Sequence, residues 1–160
     1  MLPITALLHT ENDGLRLGRV LETLYPCDDI VVIDHGSSDA SVHLARQYGA
    51  RVVTAAAEVS PEDFLRAARP GWILCLDPRE SLTESLAASL FEWKSLHAAP
   101  PAVPAFSVFL REETTEGWIE NPAPQTRLVP HTWNRWKGRF PMEEPSAFAL
   151  EGELLRFVFP

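Results

Sequence analysis

The first hundred residues switch repeatedly between two hydrophobic rhythms. Leu2–His9 (LPITALLH) is a short apolar run of strand type. Leu17, Val20, Leu21 and Leu24 then recur at the i, i+3, i+4, i+7 spacing of one helix face. DDIVVID (28–34) is a second strand run, rich in β-branched residues, and ARVVT (50–54) a third. Between them, Ser37 or Ser38 offers an N-cap, Asp39 suits the first turn of a helix, Val42, Ala45 and Tyr48 share a face, and Gly49 stands where such a helix should end. Ser60-Pro61-Glu62-Asp63 combines a cap, a first-turn proline and two acids, and Pro70-Gly71 stops the short helix it starts. WILCL (72–76) is a fourth strand ending at Asp77, and Leu86, Leu90 and Trp93 mark a helix over about 83–96. This βαβαβαβα order predicts a mostly parallel sheet covered by helices.

The pattern changes at Pro100. Nine of the 14 prolines lie in residues 100–160, so regular helix is not expected there. Phe106, Val108 and Leu110 alternate as a half-buried strand, and TRLV (126–129) and LLRFVF (154–159) are further strand candidates. About 60 residues is marginal for a separate core, so residues 1–160 are expected to form a single domain: an α/β half over 1–99 and a small mixed-strand extension over 100–160.

With 14 Lys and Arg against 22 Asp and Glu, the formal charge is −8, which argues against general binding of nucleic acid. The amino-terminal apolar stretch has no basic flank and ends at His9, too early for a secretory leader. No window approaches the ~18 apolar residues of a membrane span. Cys27 and Cys75 are too far apart for a metal-type pair, and Cys75 lies in an apolar run. A cytoplasmic location is expected, with peripheral attachment to the inner membrane face left open.

Ligands of open parallel sheets bind outside the carboxyl ends of the strands. Three such ends carry polar clusters: His9-Thr10-Glu11-Asn12, Asp34-His35-Gly36-Ser37-Ser38-Asp39 and Asp77-Pro78-Arg79-Glu80. Chain geometry alone should bring them to one edge. A dinucleotide fingerprint, a phosphate-binding Gly-x-x-x-x-Gly-Lys loop and a Gly-x-Ser-x-Gly elbow are all missing. His9 and His35 have no second ligand at metal spacing and are expected to line the pocket or serve the structure.

These clusters resemble the family 2 glycosyltransferases of GT-A fold, especially the bacterial lipopolysaccharide core kind. Leu7-Leu8-His9-Thr10-Glu11-Asn12 is similar to the family's opening strand and Asn-Glu segment, with those two residues exchanged. Ile33-Asp34-His35-Gly36-Ser37-Ser38-Asp39 matches its Val-Asp-x-Gly-Ser-x-Asp. Leu76-Asp77-Pro78-Arg79-Glu80 stands where the family has Leu-Asp-Ala-Asp-Glu, Gln125-Thr126-Arg127-Leu128 resembles its Gln-x-Arg-Leu strand, and Arg135-Trp136-Lys137-Gly138-Arg139 resembles the segment before its catalytic carboxylate. The likeness is good over residues 3–98 and loose over 104–156.

The resemblance implies a GT-A-like, Rossmann-type three-layer fold. It also implies transfer of a sugar, with inversion, from a nucleotide diphosphate donor to an acceptor hydroxyl, on a glycan or lipid-linked glycan in cell-envelope polysaccharide biosynthesis. Thr10, Glu11, Asp34, Gly36, Ser37, Asp77 and Arg127 would then bind the nucleotide sugar, and Glu143 or Glu144 would be the base. The family holds Mg²⁺ or Mn²⁺ through the last Asp of Asp-x-Asp, but here that residue is Arg79. Asp77 and Glu80 remain as metal ligands, a thin supply for a hard cation. Arg79 is therefore expected to neutralise the diphosphate itself. The family's donor-contacting Lys/Arg-Asn pair is replaced by Glu62-Asp63-Phe64-Leu65-Arg66.

Plain structural roles compete with each of these. Asp39 suits a helix start, Asp77 an Asp-Pro turn, and Arg79, Glu143 and Glu144 solvated loops. Arg127, Arg135, Lys137 and Arg139 form a basic cluster with no acid between Asn121 and Met142, as a solvated strand face also would. Trp133 and Trp136 suit core packing as well as sugar stacking. The rival functions are a silent nucleotide- or protein-binding relative, a nucleotidyltransferase and a purely structural interaction domain. The nucleotidyltransferase lacks its Gly-rich basic loop here.

Overall fold

The computed structural model of the chain describes residues 2–55, 60–65, 67–96 and 103–160, with the side chains of residues 62 and 63 left out. Four parallel strands form its first half: β1 (Ile4–Thr10), β2 (Asp29–Asp34), β3 (Arg51–Thr54) and β4 (Trp72–Leu76). Their spatial order is β3-β2-β1-β4. The chain steps outward from β1 to β3 and then crosses back to β4. Right-handed crossovers therefore put the first two helices on one face and the third on the other. The helices are α1 (Leu17–Glu22), α2 (Ser41–Gln47) and α3 (Pro61–Leu65). The order in which strands are added reverses between the parallel neighbours β1 and β4, and such a switch point opens a crevice at the carboxyl edge.

Two cores sandwich the sheet. Ile4, Ala6 and Leu8 pack with Leu17, Val20 and Ala45 on the face of α1 and α2. Leu7, Ile33 and Cys75 pack with Phe64 and Trp133 on the other. The alternation along β1 assigns His9 to the second face and Thr10 to the first. Burial of Cys75 among these side chains pushes its thiol up to about 12, so it stays an unreactive thiol.

The second half continues the same sheet rather than adding a layer. β8 (Gln125–Pro130) pairs antiparallel with β4, followed across the sheet by β6 (Phe106–Thr114), β11 (Phe148–Arg156) and β5 (Glu80–Leu82). β7 (Gly117–Glu120) pairs with β6, and a separate small hairpin joins β9 (Trp136–Lys137) to β10 (Phe140–Pro141). The curled α/β architecture is that of the GT-A fold. α4 (Glu84–Ser95) lies across β11 and buries Leu86, Leu90 and Trp93, as its periodicity predicts. Its cap is Thr83, whose hydroxyl accepts the Leu86 N–H at 3.2 Å. A Cβ on Gly152, whose φ is +91°, would stand 2.3 Å from the Leu86 nitrogen, so only glycine allows α4 to approach β11 this closely.

Several local expectations change. Neither Ser37 nor Ser38 caps α2. The cap position is Ala40, because both serines are drawn into the loop network described below. Tyr48 stays exposed and donates to Glu22 instead of facing the core. The Asp-Pro-Arg-Glu loop leads straight into β5, and the last strand begins at Phe148 and stops at Arg156, leaving Phe157–Phe159 outside it. Glu62 and Asp63 lie in α3, but their side chains and Arg66 are outside the described residues. No helix among the described residues is long and apolar enough to cross a membrane.

Candidate functional site

The three polar clusters do meet at the carboxyl edge of the sheet. Two of the loops are tied to each other. Asn12, in the left-handed region with φ of 55°, accepts the Ser38 N–H on its side-chain oxygen at 2.8 Å, and its own N–H donates to the Ser37 hydroxyl at 3.0 Å. Asp13 accepts the Thr10 hydroxyl at 2.9 Å and the Glu11 N–H at 2.9 Å. Asp39 takes the Gly14 N–H at 2.9 Å and both donors of Ser41, bonds that hold its carboxyl below the ordinary carboxylate range. Thr10 and Asp39 are thus committed to shaping the loops. Glu11 is exposed at the rim. Asp34 is 5% exposed, and among the described residues its carboxylate receives only the Ser37 N–H, at 3.3 Å to each oxygen. Gly36, with φ of +85°, makes that turn possible.

On the opposite face lies a cleft of about 460 Å³, lined by His9 and His35 from the strand ends, Pro61 and Phe64 from α3, and Trp136 and Arg139 from the β9–β10 hairpin. His9 Nδ1 and His35 Nε2 are 2.8 Å apart, so one ring must donate and the other accept. Phe64 meets the His9 ring edge-on, at 5.2 Å between centroids. Burial first, then the positive charges of Arg139 and His35, push His9 down to about 3. His35 is lowered too, by burial and by Arg139, against the pull of Glu11 and Asp34. The pair is therefore neutral at pH 7, and the exposed Arg139 carries the positive charge of the cleft. Phe64 and Pro61 were not among the candidates from sequence. Their signal was Pro61 as a first-turn residue with an aromatic one turn later, facing the strand ends.

The third cluster is organised by a buried charge triad. Glu80, 0% exposed, accepts two parallel bonds from Arg127, at 2.7 and 2.8 Å, and a third strong one from Arg156 at 2.8 Å. It also takes the Asp77 N–H at 2.8 Å. Arg127, equally buried, donates to the Cys75 carbonyl at 3.0 Å, and its guanidinium lies 4.1 Å over the Phe140 ring. Arg127 is therefore withdrawn from the basic cluster, and no face of it reaches the cleft. Beside the triad, Arg79 binds Asp77: its backbone N–H and Nε each lie 2.9 Å from Oδ1, and a terminal nitrogen lies 3.2 Å from Oδ2. Burial raises the Asp77 carboxyl, but the bonds and charge of Arg79 together outweigh it and leave the group below its ordinary value.

These carboxylates do not fit a divalent cation. Both oxygens of Asp77 are held by a guanidinium, and those of Glu80 are enclosed by two. Among the described residues no group of three His, Cys, Asp or Glu could hold a metal ion.

The two candidate bases part company. The register of β8 on β4, with Leu128 opposite Leu74, brings Thr126 beside the carboxyl end of β4. Glu143 bonds Thr126 there through Oε2 alone, at 2.9 Å from its N–H and 3.1 Å from its hydroxyl, and Oε1 has no partner among the described residues. Glu144 spends one oxygen on Ser146, at 2.6 Å from its hydroxyl, and the other on Arg135; these bonds hold its carboxyl below the ordinary range. Trp133 is buried, its indole N–H donating to the Arg135 carbonyl, while Trp136 turns to the cleft.

No protein-family model matches the chain. It is similar to uncharacterized glycosyltransferases of Rickettsia prowazekii and Rickettsia typhi, each 28% identical over 90 residues. The match takes in 54% of this chain and 31% of the length of those relatives. Among solved structures it resembles a mycobacterial protein with a TM-score of 0.50 at 20% identity, over 71% of this chain and 42% of that one. Mannosyl-3-phosphoglycerate synthase from Rubrobacter xylanophilus gives a TM-score of 0.48 at 21% identity, over 69% and 39% of the two chains. In fold, this chain resembles the GT-A glycosyltransferases, and in sequence 90 of its residues are similar to part of two proteins called glycosyltransferases.

Proposed function

We propose that the chain binds a nucleoside diphosphate sugar at the carboxyl edge of its sheet and transfers the sugar, with inversion, to an acceptor hydroxyl. The observation that carries this reading is the cleft beside the carboxyl ends of β1 and β2. It is lined by flat rings (His9, His35, Phe64 and Trp136) and has a cation, Arg139, on its wall. Flat rings suit a nucleobase, and a guanidinium suits phosphate oxygens. Asp34, with lone pairs to spare, would accept an N–H of the base, with Gly36 and Ser37 shaping the wall beside it. Glu11 at the rim would face the ribose.

Glu143 is the base of choice. It is a carboxylate with one oxygen held in position and the other free to take a proton. Glu144, with both oxygens engaged and its carboxyl held low, is a poor acceptor. The acceptor oxygen attacks the anomeric carbon opposite the leaving group and loses its proton to Glu143. The bond from that carbon to the diphosphate breaks, and its electron pair leaves with the diphosphate. The acceptor class that fits the resemblance is a glycan or lipid-linked glycan.

A second reading, nucleotide binding without transfer, draws on the Asp77–Arg79 pair at the family's metal position. Thermal-shift measurements with UDP, GDP, CDP and dTDP and their sugar conjugates test the site. A ligand at 100 times its Kd adds roughly 2.7 kcal/mol of stability, so one nucleotide should stand clear of the rest. Release of nucleoside diphosphate from the selected conjugate separates transfer from silent binding. If none of the ligands stabilises the chain, both readings fall.

A further inference from the structure

Arg79 is a cation where the resembled family carries a metal-binding acid. Its contacts show what it is prepared to do. Nε and one terminal nitrogen are fixed on Asp77, at 2.9 and 3.2 Å, and the backbone N–H closes the turn onto the same carboxylate. The other terminal nitrogen has no partner among the described residues, and the side chain is 47% exposed. A guanidinium pinned along one edge and open along the other is a rigid two-donor fork of the kind that grips phosphate oxygens.

Asp77 keeps the fork in place, as the carboxylate behind a recognition arginine should. The Asp77 N–H is in turn fixed by Glu80, and Glu80 by Arg127 and Arg156, so the pair stands on a buried, fully satisfied support. A divalent cation entering here would have to displace Arg79 from Asp77 and then sit beside the displaced positive charge. Glu80 has no free oxygen to draw it in, and Asp13, whose negative charge reaches Arg79, is already engaged in the loop network.

We infer that the diphosphate of the donor is neutralised by Arg79, held by Asp77, and that this site binds its nucleotide without a divalent metal ion. The inference rests on the donor-site reading given above and specifies how that site meets charge. As the sugar leaves, the negative charge growing on the terminal phosphate is then met by hydrogen bonds from a fixed guanidinium.

Calorimetry on the full chain tests it, using UDP, GDP, CDP and dTDP and their nucleosides, in EDTA and again in Mn²⁺. One diphosphate should bind in EDTA, with its Kd changed less than about threefold by Mn²⁺. R79A should weaken that diphosphate at least tenfold, leave the matching nucleoside within about twofold, and recover in part in R79K. Binding that needs Mn²⁺, or tightens more than tenfold with it, overturns the inference while leaving the donor site standing. An R79A variant that binds diphosphate as wild type does also overturns it. Silence of every nucleoside and diphosphate in both buffers overturns the donor-site reading, and the inference with it.

Discussion

The Glu80 triad supports a quantitative prediction. Glu80→Gln keeps the shape and an acceptor for the Asp77 N–H, but it removes the negative charge between Arg127 and Arg156. It also turns an amide NH₂ toward guanidinium donors. Arg127 has 1% of its side chain exposed and Glu80 has 0%, so solvent cannot make good the loss. Breaking a buried pair from one side costs about 3–5 kcal/mol. A domain of this size loses roughly 2–4 °C of melting temperature per kcal/mol, so the melting point should fall by about 6–20 °C. Arg127→Met should cost less, about 2–3 kcal/mol, because Glu80 keeps Arg156. Arg156→Met should cost least, about 1 kcal/mol, since that side chain is 23% exposed and screened by water. Urea unfolding followed by tryptophan fluorescence at pH 7 gives all three. A Glu80→Gln variant within about 1 kcal/mol of wild type, or an inverted order of the two arginines, refutes the reasoning.

Other measurements reach different parts of the molecule. His9 titrates near 6.5 when unfolded and near 3 when folded, so the unfolded chain takes up the proton first; stability is full above pH 6.5 and falls as the pH drops. The urea transition should lose about 2 kcal/mol between pH 7 and pH 5, His9→Phe should flatten that slope, and a flat wild-type profile would contradict the neutral pair. Asp28, Asp39 and Asp77 have folded values below 3.8, so their share of stability is present above that pH and disappears as acid carries the solution through the lowered values; an acid titration by circular dichroism reads it. Gly152→Ala should destabilise by about 3 kcal/mol or more, because its Cβ meets the backbone of α4; a melting point within ~2 °C of wild type argues against that contact. Glu143→Gln should cut donor turnover by roughly 10²–10⁴ with nucleotide affinity unchanged, while Glu144→Gln has the smaller effect; the reverse would move the base to Glu144.

The strands of the first half were legible because period and length agree there. IVVI and WILCL have no other comfortable fate than a doubly covered sheet. The clustering of the three strand ends followed from topology alone. What sequence could not show was commitment. Arg127 read as one member of a basic cluster, yet its partner Glu80 lies 47 positions away in sequence, and Arg156, which shares that carboxylate, lies 29 away; only the fold brings the three together. Glu80 read as a spare carboxylate for the same reason. Asp34 was expected to bind the nucleotide and Asp39 to serve a helix start. The structure gives Asp39 to the backbone of the neighbouring loop and leaves Asp34 with open lone pairs. β5, three residues long, was too short for any periodicity, and the β9–β10 hairpin, two residues a side, left no rhythm at all.

Phe140, under the Arg127 guanidinium, directly follows the turn that supplies Arg139, in the hairpin whose first strand supplies Trp136 to the cleft. The ring that lies against Arg127 thus belongs to the same hairpin as the wall of the cleft. A ligand that draws the hairpin inward must pull on Arg127, and through it on Glu80 and the last strand. Binding in the cleft should then slow amide exchange in β11, although no residue of that strand lines the cleft, and the far half of the sheet would report occupancy.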